Sequence, residues 1–266
     1  MDFGIFIGIL VAIGAIIGGN IMEGGHTESL VGIPAFIIVI GGTFGAVMVQ
    51  FPMDVCKGAI QGSMRLLKPP KRDPQKLVEE LVNMAQLARK DGVLGLEKVA
   101  DQASHPLLKK GVLMAVDGCD SEVIRSTLET VITQDEHHVE NSAKVFEAAG
   151  GYCPTVGIIG AVLGLIHVMG NLADIDAVGK GIAAAFVATI YGVAAANLLF
   201  LPTAGRLKVR QEIETLQGEL IVEGILAIQA GLNPKIVRER LAAFVPAHGR
   251  KHAAGAPAGS PEPAAS

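Results

Sequence analysis

The chain has no tryptophan, only 2 tyrosines and 3 cysteines in 266 residues, and holds aromatic residues to 4% and charged residues to 18%. A soluble domain of this length carries roughly 25% charged residues, so a water-solvated globular core fits poorly. Cys56, Cys119 and Cys153 lack any metal or redox spacing and read as free, reduced thiols. The net charge of −4 leaves no footprint for a nucleic-acid partner. No Ser–His–Asp, Cys–His or paired-carboxylate arrangement stands out, so the sequence gives no warrant for an enzyme acting on a soluble substrate, and no cofactor or metal site is expected.

The most informative absence is local. Residues 3–20, 31–51, 153–172 and 181–202 contain no Asp, Glu, Lys or Arg. At about 1.5 Å per residue each stretch covers about 30 Å, the thickness of a bilayer's hydrocarbon layer. Half of the residues are apolar, 33 are glycine, and mean hydropathy is +0.46, all in keeping with packed membrane helices. The first stretch is not read as a cleavable signal, because its n-region, MDFG, has an acid and no base. Pro34 and Pro154 are expected near helix starts, where the missing N–H costs little.

The basic residues give an orientation. Of 22 Lys and Arg, 13 lie between positions 57 and 150 and 8 lie after 203. The remaining one, Lys180, shares a short loop with Asp174 and Asp176, while the other short loop holds Glu23 and Glu28. The positive-inside rule then turns both short loops outward and places the centre, the N-terminus and the tail in the cytoplasm.

The expected fold is an all-α integral membrane protein of four transmembrane helices, with a helical cytoplasmic domain between spans two and three. Its parts are a membrane hairpin over 1–52, a cytoplasmic helical domain over 53–150, a second hairpin over 151–203, a helical cytoplasmic tail over 204–246 and a disordered end over 247–266. Within the central domain, Leu77, Leu81, Met84, Ala85 and Ala88 recur at helical spacing behind an Asp73 N-cap and Pro74. Two shorter helices, 92–104 and 107–118, are punctuated by Gly92, Pro106 and Gly118. A long helix from Ser121 runs almost straight into the third span, and another covers 206–230 before a break at Gly231–Pro234.

Small residues line the spans: Ala184, Ala188, Gly192 and Ala196 in the fourth, Gly160 and Gly164 in the third, Gly41 and Gly45 in the second, and Gly4, Gly8, Gly14 and Gly18 in the first. Lipid gives helices no hydrophobic reason to associate, so close backbone approach has to hold them. Packing within the chain and packing against other chains both satisfy that pattern.

The glycine clusters at 41–45 and 157–164 lack the strand and the Lys of a phosphate loop. His137 and His138 are adjacent, so they do not share a helix face, and His167 reads as a packing histidine. The remaining polar groups of interest are hydroxyls. Thr155 opens the third span and Thr189 lies in the fourth; a hydroxyl here bonds its own helix or lines a wet path. An ion path without a carboxylate in its own spans must borrow one. In the central domain Arg89, Lys90, Asp91, Glu97, Lys98 and Asp101 form a dense mixed-charge patch, which from charge alone reads as a solvated surface.

PTVGIIGAVLGLIHVMGNL followed by GIAAAFVATIYGVAAANLLFLP, together with ARKDGVLGLE, resembles the flagellar stator subunit family of MotA and PomA, over nearly the whole chain except 247–266. The resemblance implies a ring of these chains around a MotB- or PomB-type single-span, peptidoglycan-binding subunit in a five-to-two complex of the bacterial inner membrane. It also implies that the partner supplies the membrane aspartate and that ion flow turns the rotor. Matched by motif, Arg89 and Glu97 would meet the rotor protein FliG, Pro154 and Pro234 would couple conformation, and Thr155 and Thr189 would lie along the path of H⁺ or Na⁺, with H⁺ favoured. The alternatives are an ExbB/TolQ-like energiser, which usually has one span before its large cytoplasmic region, and a membrane scaffold without ion flux.

Overall fold

The structure, a computed structural model, describes residues 3–26, 30–67 and 73–245. The expected disordered end, 247–266, lies outside the described residues. These residues form helices and no strand. In chain order they are α1 (Phe3–Met22), α2 (Ile33–Gln50), α3 (Met53–Leu67), α4 (Pro74–Asp91), α5 (Glu97–Ala100), α6 (Pro106–Val116), α7 (Ser121–Gly170), α8 (Ile175–Gln229) and α9 (Pro234–Leu241). Four of them, α1, α2, α7 and α8, contain stretches long and apolar enough to cross a membrane.

The chain divides into two units: Met1–Pro70 with Gln134–Glu212, and Lys71–Thr133 with Ile213–Ser266. The second is a water-soluble type of core. Leu81, Leu108, Ile124, Leu128, Ile221, Val237 and Leu241 are fully buried in one continuous apolar cluster. Local chemistry sets the helix limits. The Asp73 carboxylate accepts from the Gln75 N–H at 3.0 Å with Pro74 behind it, so α4 starts where the sequence predicts. The Nδ1 of His105 does the same for Leu107 N–H at 3.0 Å before Pro106. At the end of α8, Gly231 takes φ 66°, and Leu232 N–H reaches back to the Ala227 carbonyl, closing the helix where the predicted break falls.

The first unit is built the other way round. Its buried residues are mostly small, among them Ala35, Cys153, Ala188 and Ala196, while many large apolar side chains face outward: Leu10 is 72% exposed, Ile166 60% and Phe186 67%. Surfaces of that kind belong in lipid, which is as apolar as leucine. The membrane helices also contain two π-helical turns, Ile37–Gly41 in α2 and Ala196–Phe200 in α8, and both contribute buried residues to the same cluster around Cys153.

Two expectations are corrected. Pro154 does not open a helix; it lies inside α7, which runs without interruption from Ser121 to Gly170. The pyrrolidine ring removes the donor to the Gly150 carbonyl. Neighbouring helices and hydroxyls re-satisfy freed backbone groups in membrane helices, so such a proline is tolerated. The fourth apolar stretch likewise has no end at 202: α8 starts at Ile175, capped by Asp174, and continues through the expected separate helix at 206–230.

Candidate functional site

The α7–α8 hairpin is held by backbone proximity. A Cβ placed on Gly192 would stand 2.7 Å from the Cys153 carbonyl oxygen and 3.1 Å from the Gly157 Cα. One on Gly164 would meet the Gly181 carbonyl oxygen at 3.0 Å, and one on Gly160 the Ala188 Cβ at 2.8 Å. The buried stripe of α8 is therefore Gly181, Ala185, Ala188, Gly192 and Ala196, whereas Ala184 is exposed. A strict four-residue repeat drifts around a helix of 3.6 residues per turn, so the step of three from Ala185 to Ala188 among steps of four keeps the contact. In α2 the packed glycine is Gly42, against Val156, while Gly41 and Gly45 have nothing within 4 Å. The same openness holds at Gly8, Gly14 and Gly18 of α1. Packing within the chain thus uses the small residues of α7 and α8 with Gly42 of α2, and leaves Gly8, Gly14 and Gly18 of α1 open.

Thr155 and Thr189 sit on this locked hairpin. Thr155 follows Pro154 and is exposed, and its hydroxyl donates to the Tyr152 carbonyl at 2.7 Å. Thr189 is half-buried and donates to the Ala185 carbonyl at 3.2 Å. The two lie at similar depth, because Gly157, two residues after Thr155, rests between Ala188 and Gly192. Each hydroxyl keeps its lone pairs available while its proton is engaged. The two stretches around them carry no charge, so the hairpin has oxygen ligands to offer an ion but nothing to neutralise it. His167 is exposed near the other end of α7, where its carbonyl accepts from the Asn171 amide.

Tyr191, one of the chain's 2 tyrosines, is not among the candidate site residues of the sequence. Its hydroxyl donates to the Leu30 carbonyl at 2.8 Å and accepts from the Gly32 N–H at 3.1 Å. Its ring meets Phe36 edge-on at 6.3 Å. A tyrosine inside a charge-free span is the available signal, since a phenol in lipid needs a partner.

In the second unit, Arg89 and Glu97 flank a tight turn. Arg89 is in the last turn of α4, Glu97 is the first residue of α5, and both are exposed. Gly92, at φ 77° and ψ 169°, breaks the helix in a conformation that side chains rarely adopt. The following 3₁₀ turn, Val93–Leu96, buries Leu96 to 1% exposure and leaves Leu94 71% exposed. Glu80 ties the next turn to α4 by accepting from both the backbone and the hydroxyl of Ser104. Within the predicted patch, Asp101 pairs with Lys109 at 2.7 Å, and that hydrogen bond and charge hold its carboxyl below the ordinary range. Among the described residues Arg89 and Glu97 have no such ion pair, so their charges are presented to solvent.

Pro234 starts α9, where the Asn233 side chain accepts from Lys235 N–H at 3.0 Å. Val237 and Leu241 of that helix are fully buried, and α9 packs against α4, the helix that carries Arg89. Arg240 adds an ion pair to Glu223 at 3.1 Å. The structure thus gathers the named residues into two places, the threonines with Pro154 on the hairpin and Arg89, Glu97 and Pro234 on the α4–α9 unit.

The geometry describes a channel-type wall rather than a catalytic centre. Comparison with known proteins agrees. Residues 99–219 match the MotA/TolQ/ExbB proton channel family, and residues 6–92 match the motility protein A N-terminal family. Motility protein A of Bacillus subtilis is 35% identical over 254 residues, covering 94% of this chain and 93% of that protein. The chemotaxis protein PomA of Vibrio alginolyticus is 33% identical, covering 89% and 92%. The solved C. jejuni MotAB structure has a chain that superimposes with a TM-score of 0.88 at 30% identity, covering 93% of this chain and 97% of that one. The flagellar MotAB stator complex from Bacillus subtilis gives 0.83 at 33% identity, covering 91% and 96%. The chain belongs to the MotA/TolQ/ExbB proton channel family, and its N-terminal part is of the motility protein A type. It is a multi-pass membrane protein of a channel family, not an enzyme.

Proposed function

We propose that the chain is the A-type subunit of a flagellar stator and forms, with a MotB-type partner, an ion channel whose flow becomes torque. The observation that carries this reading is the α7–α8 hairpin, locked by glycine contacts, bearing Thr155 and Thr189, and free of charge. Such a wall needs a carboxylate from another chain, and a single-span partner with a membrane aspartate supplies it. Five copies ring two partners, the partner grips peptidoglycan, and the short loops face outward with both termini in the cytoplasm, in line with the Lys and Arg distribution.

The second unit then lies in the cytoplasm, where exposed Arg89 and Glu97 engage the rotor protein FliG. Pro154, inside the helix that carries Thr155, and Pro234, at the start of the helix braced on α4, couple the ion path to that surface. One ion crossing about 150 mV releases roughly 3–4 kcal/mol, enough to change which subunit the partner favours. The coupling ion is H⁺, with Na⁺ the alternative that the PomA relative brings in.

Purification with native membrane neighbours in mild detergent tests the reading. Recovery of a single-span protein with a membrane aspartate and a peptidoglycan-binding domain supports it. A partner with a different periplasmic domain makes the complex an ExbB/TolQ-type energiser instead, and a chain purified alone overturns it.

A further inference from the structure

A cleft of about 510 Å³ opens between the start of α1, the end of α3 and the 197–206 stretch of α8, all within the first unit. Its α1 wall is formed by Gly4, Ile5, Gly8, Ile9 and Ala12, and a Cβ on Gly8 would meet nothing within 4 Å. Met64 and Leu199, 65% and 46% exposed, form apolar walls facing that space. Apolar walls around a void forfeit dispersion contacts, and helix association in a bilayer depends on those contacts. Something apolar and slender fits there.

The polar groups of the cleft narrow its chemistry. The Ser63 hydroxyl donates to the Ile60 carbonyl, the Thr203 hydroxyl to Leu199 and the Asn197 amide to Val193, each within its own helix. The charged group of the lining is Arg206, the first charge after the neutral run 181–205. Its neighbour Leu207 is buried in a cluster with Leu66 and Ala143, against which Ile5 at the start of α1 packs, so Arg206 stands where the apolar helices begin, the position at which a basic side chain meets lipid headgroups. Its guanidinium has five donors in a rigid fork, enough to serve a protein group and a phosphate together. The third wall points to the same depth: Met53, Ile60 and Met64 of α3 are all exposed and share one helical face, the pattern of a helix lying at a membrane interface.

We propose that this cleft holds one anionic phospholipid per chain, its phosphate on Arg206 and an acyl chain between α1 and α8. Basic pockets between membrane helices bind acidic headgroups in this way. The lipid fills the gap beside Gly8, where a Cβ would meet nothing, and ties the start of α1 to the rest of its unit. The inference goes beyond the stator reading, because it needs only a membrane-embedded chain.

Native mass spectrometry of the detergent-purified complex, incubated with phosphatidylglycerol or phosphatidylethanolamine, tests it. One phosphatidylglycerol per chain is expected, and Arg206→Gln lowers the preference for it over phosphatidylethanolamine by about tenfold, the worth of one charge-assisted contact. Gly8→Leu fills the cleft and removes the lipid at unchanged oligomer mass, which keeps the test valid if Arg206→Gln does not assemble. Retention of lipid by both variants, or displacement of phosphatidylglycerol by inorganic phosphate, overturns the proposal. So does a disulfide between Gly8→Cys of one copy and Leu199→Cys of another, because a neighbouring helix would then occupy the cleft.

Discussion

Gly192 lies against Cys153 so closely that any side chain there would press on the Cys153 carbonyl, with its Cβ only 2.7 Å from the oxygen. Backbone, unlike the end of a flexible side chain, cannot move aside. Gly192→Val should therefore destabilise the hairpin by about 1–3 kcal/mol, the usual cost of overpacking. Gly14→Ala, at a site with nothing within 4 Å, should change stability by less than about 0.5 kcal/mol. Thermal melting in detergent checks both, and equal losses would contradict the assignment of the hairpin as the chain's own tight contact.

Tyr191→Phe keeps the ring against Phe36 but removes both hydrogen bonds to residues 30–32. The Leu30 carbonyl and Gly32 N–H then lose their partner, at a cost of about 1–3 kcal/mol. A lower melting temperature with unchanged oligomeric state is expected. An unchanged melting temperature would mean that water replaces the phenol, placing residues 30–32 outside the lipid.

Arg89→Glu and Glu97→Lys should leave melting within about 0.5 kcal/mol of the parent, because both side chains are exposed and have no ion-pair partner among the described residues. Motor torque, read as the rotation rate of tethered cells, should fall for each. Unchanged torque with both charges reversed would rule out the proposed electrostatic contact with the rotor.

Pro234 and Val237 separate coupling from mere folding. Val237→Ala, a truncation of a fully buried residue, should loosen α9 from α4 and lower stability by roughly 2 kcal/mol. Pro234→Ala keeps the Asn233 cap and should lower stability by less than about 1 kcal/mol. A torque loss from Pro234→Ala as large as that from Val237→Ala, at nearly normal stability, identifies Pro234 as a coupling residue. Normal torque assigns it to helix initiation alone.

The Asp101 carboxyl is held low by the Lys109 hydrogen bond and charge. A carboxyl with a lowered folded pKa contributes stability that is present above its unfolded value and is lost as pH falls through the folded one. The pair should therefore be intact at neutral pH and fail only in acid, below the ordinary aspartate range. Carboxyl NMR titration should show the Asp101 midpoint returning upward in Lys109→Ala; no movement would remove Lys109 as the cause.

What the sequence makes legible here is what depends on a few neighbours. Asp73–Pro74 starts α4 and Gly92 and Gly231 end helices because capping and positive φ are decided within one turn. The charge-free spans are legible for the same reason. The path of α7 through Pro154 is not, because the surrounding helices decide whether a proline ends a helix in a membrane. The contact stripe of α8 is only partly legible: small residues mark the face, but choosing Ala185 over Ala184 needs the partner helix. Tyr191 reaches Leu30 across 161 positions, and no local pattern announces such a contact. The exposed pair Arg89 and Glu97 is visible as charge, while its assignment to the rotor comes from the family likeness alone.

Ion uptake into vesicles tests the central claim most directly. Vesicles carrying this chain with the proposed single-span partner should take up H⁺ or Na⁺ under a membrane potential. Replacing the partner's membrane aspartate with asparagine should abolish uptake, and Thr189→Val in this chain should reduce it while the complex still forms. Uptake by this chain alone, or uptake indifferent to both substitutions, would contradict a path whose wall belongs to this chain and whose charge belongs to another.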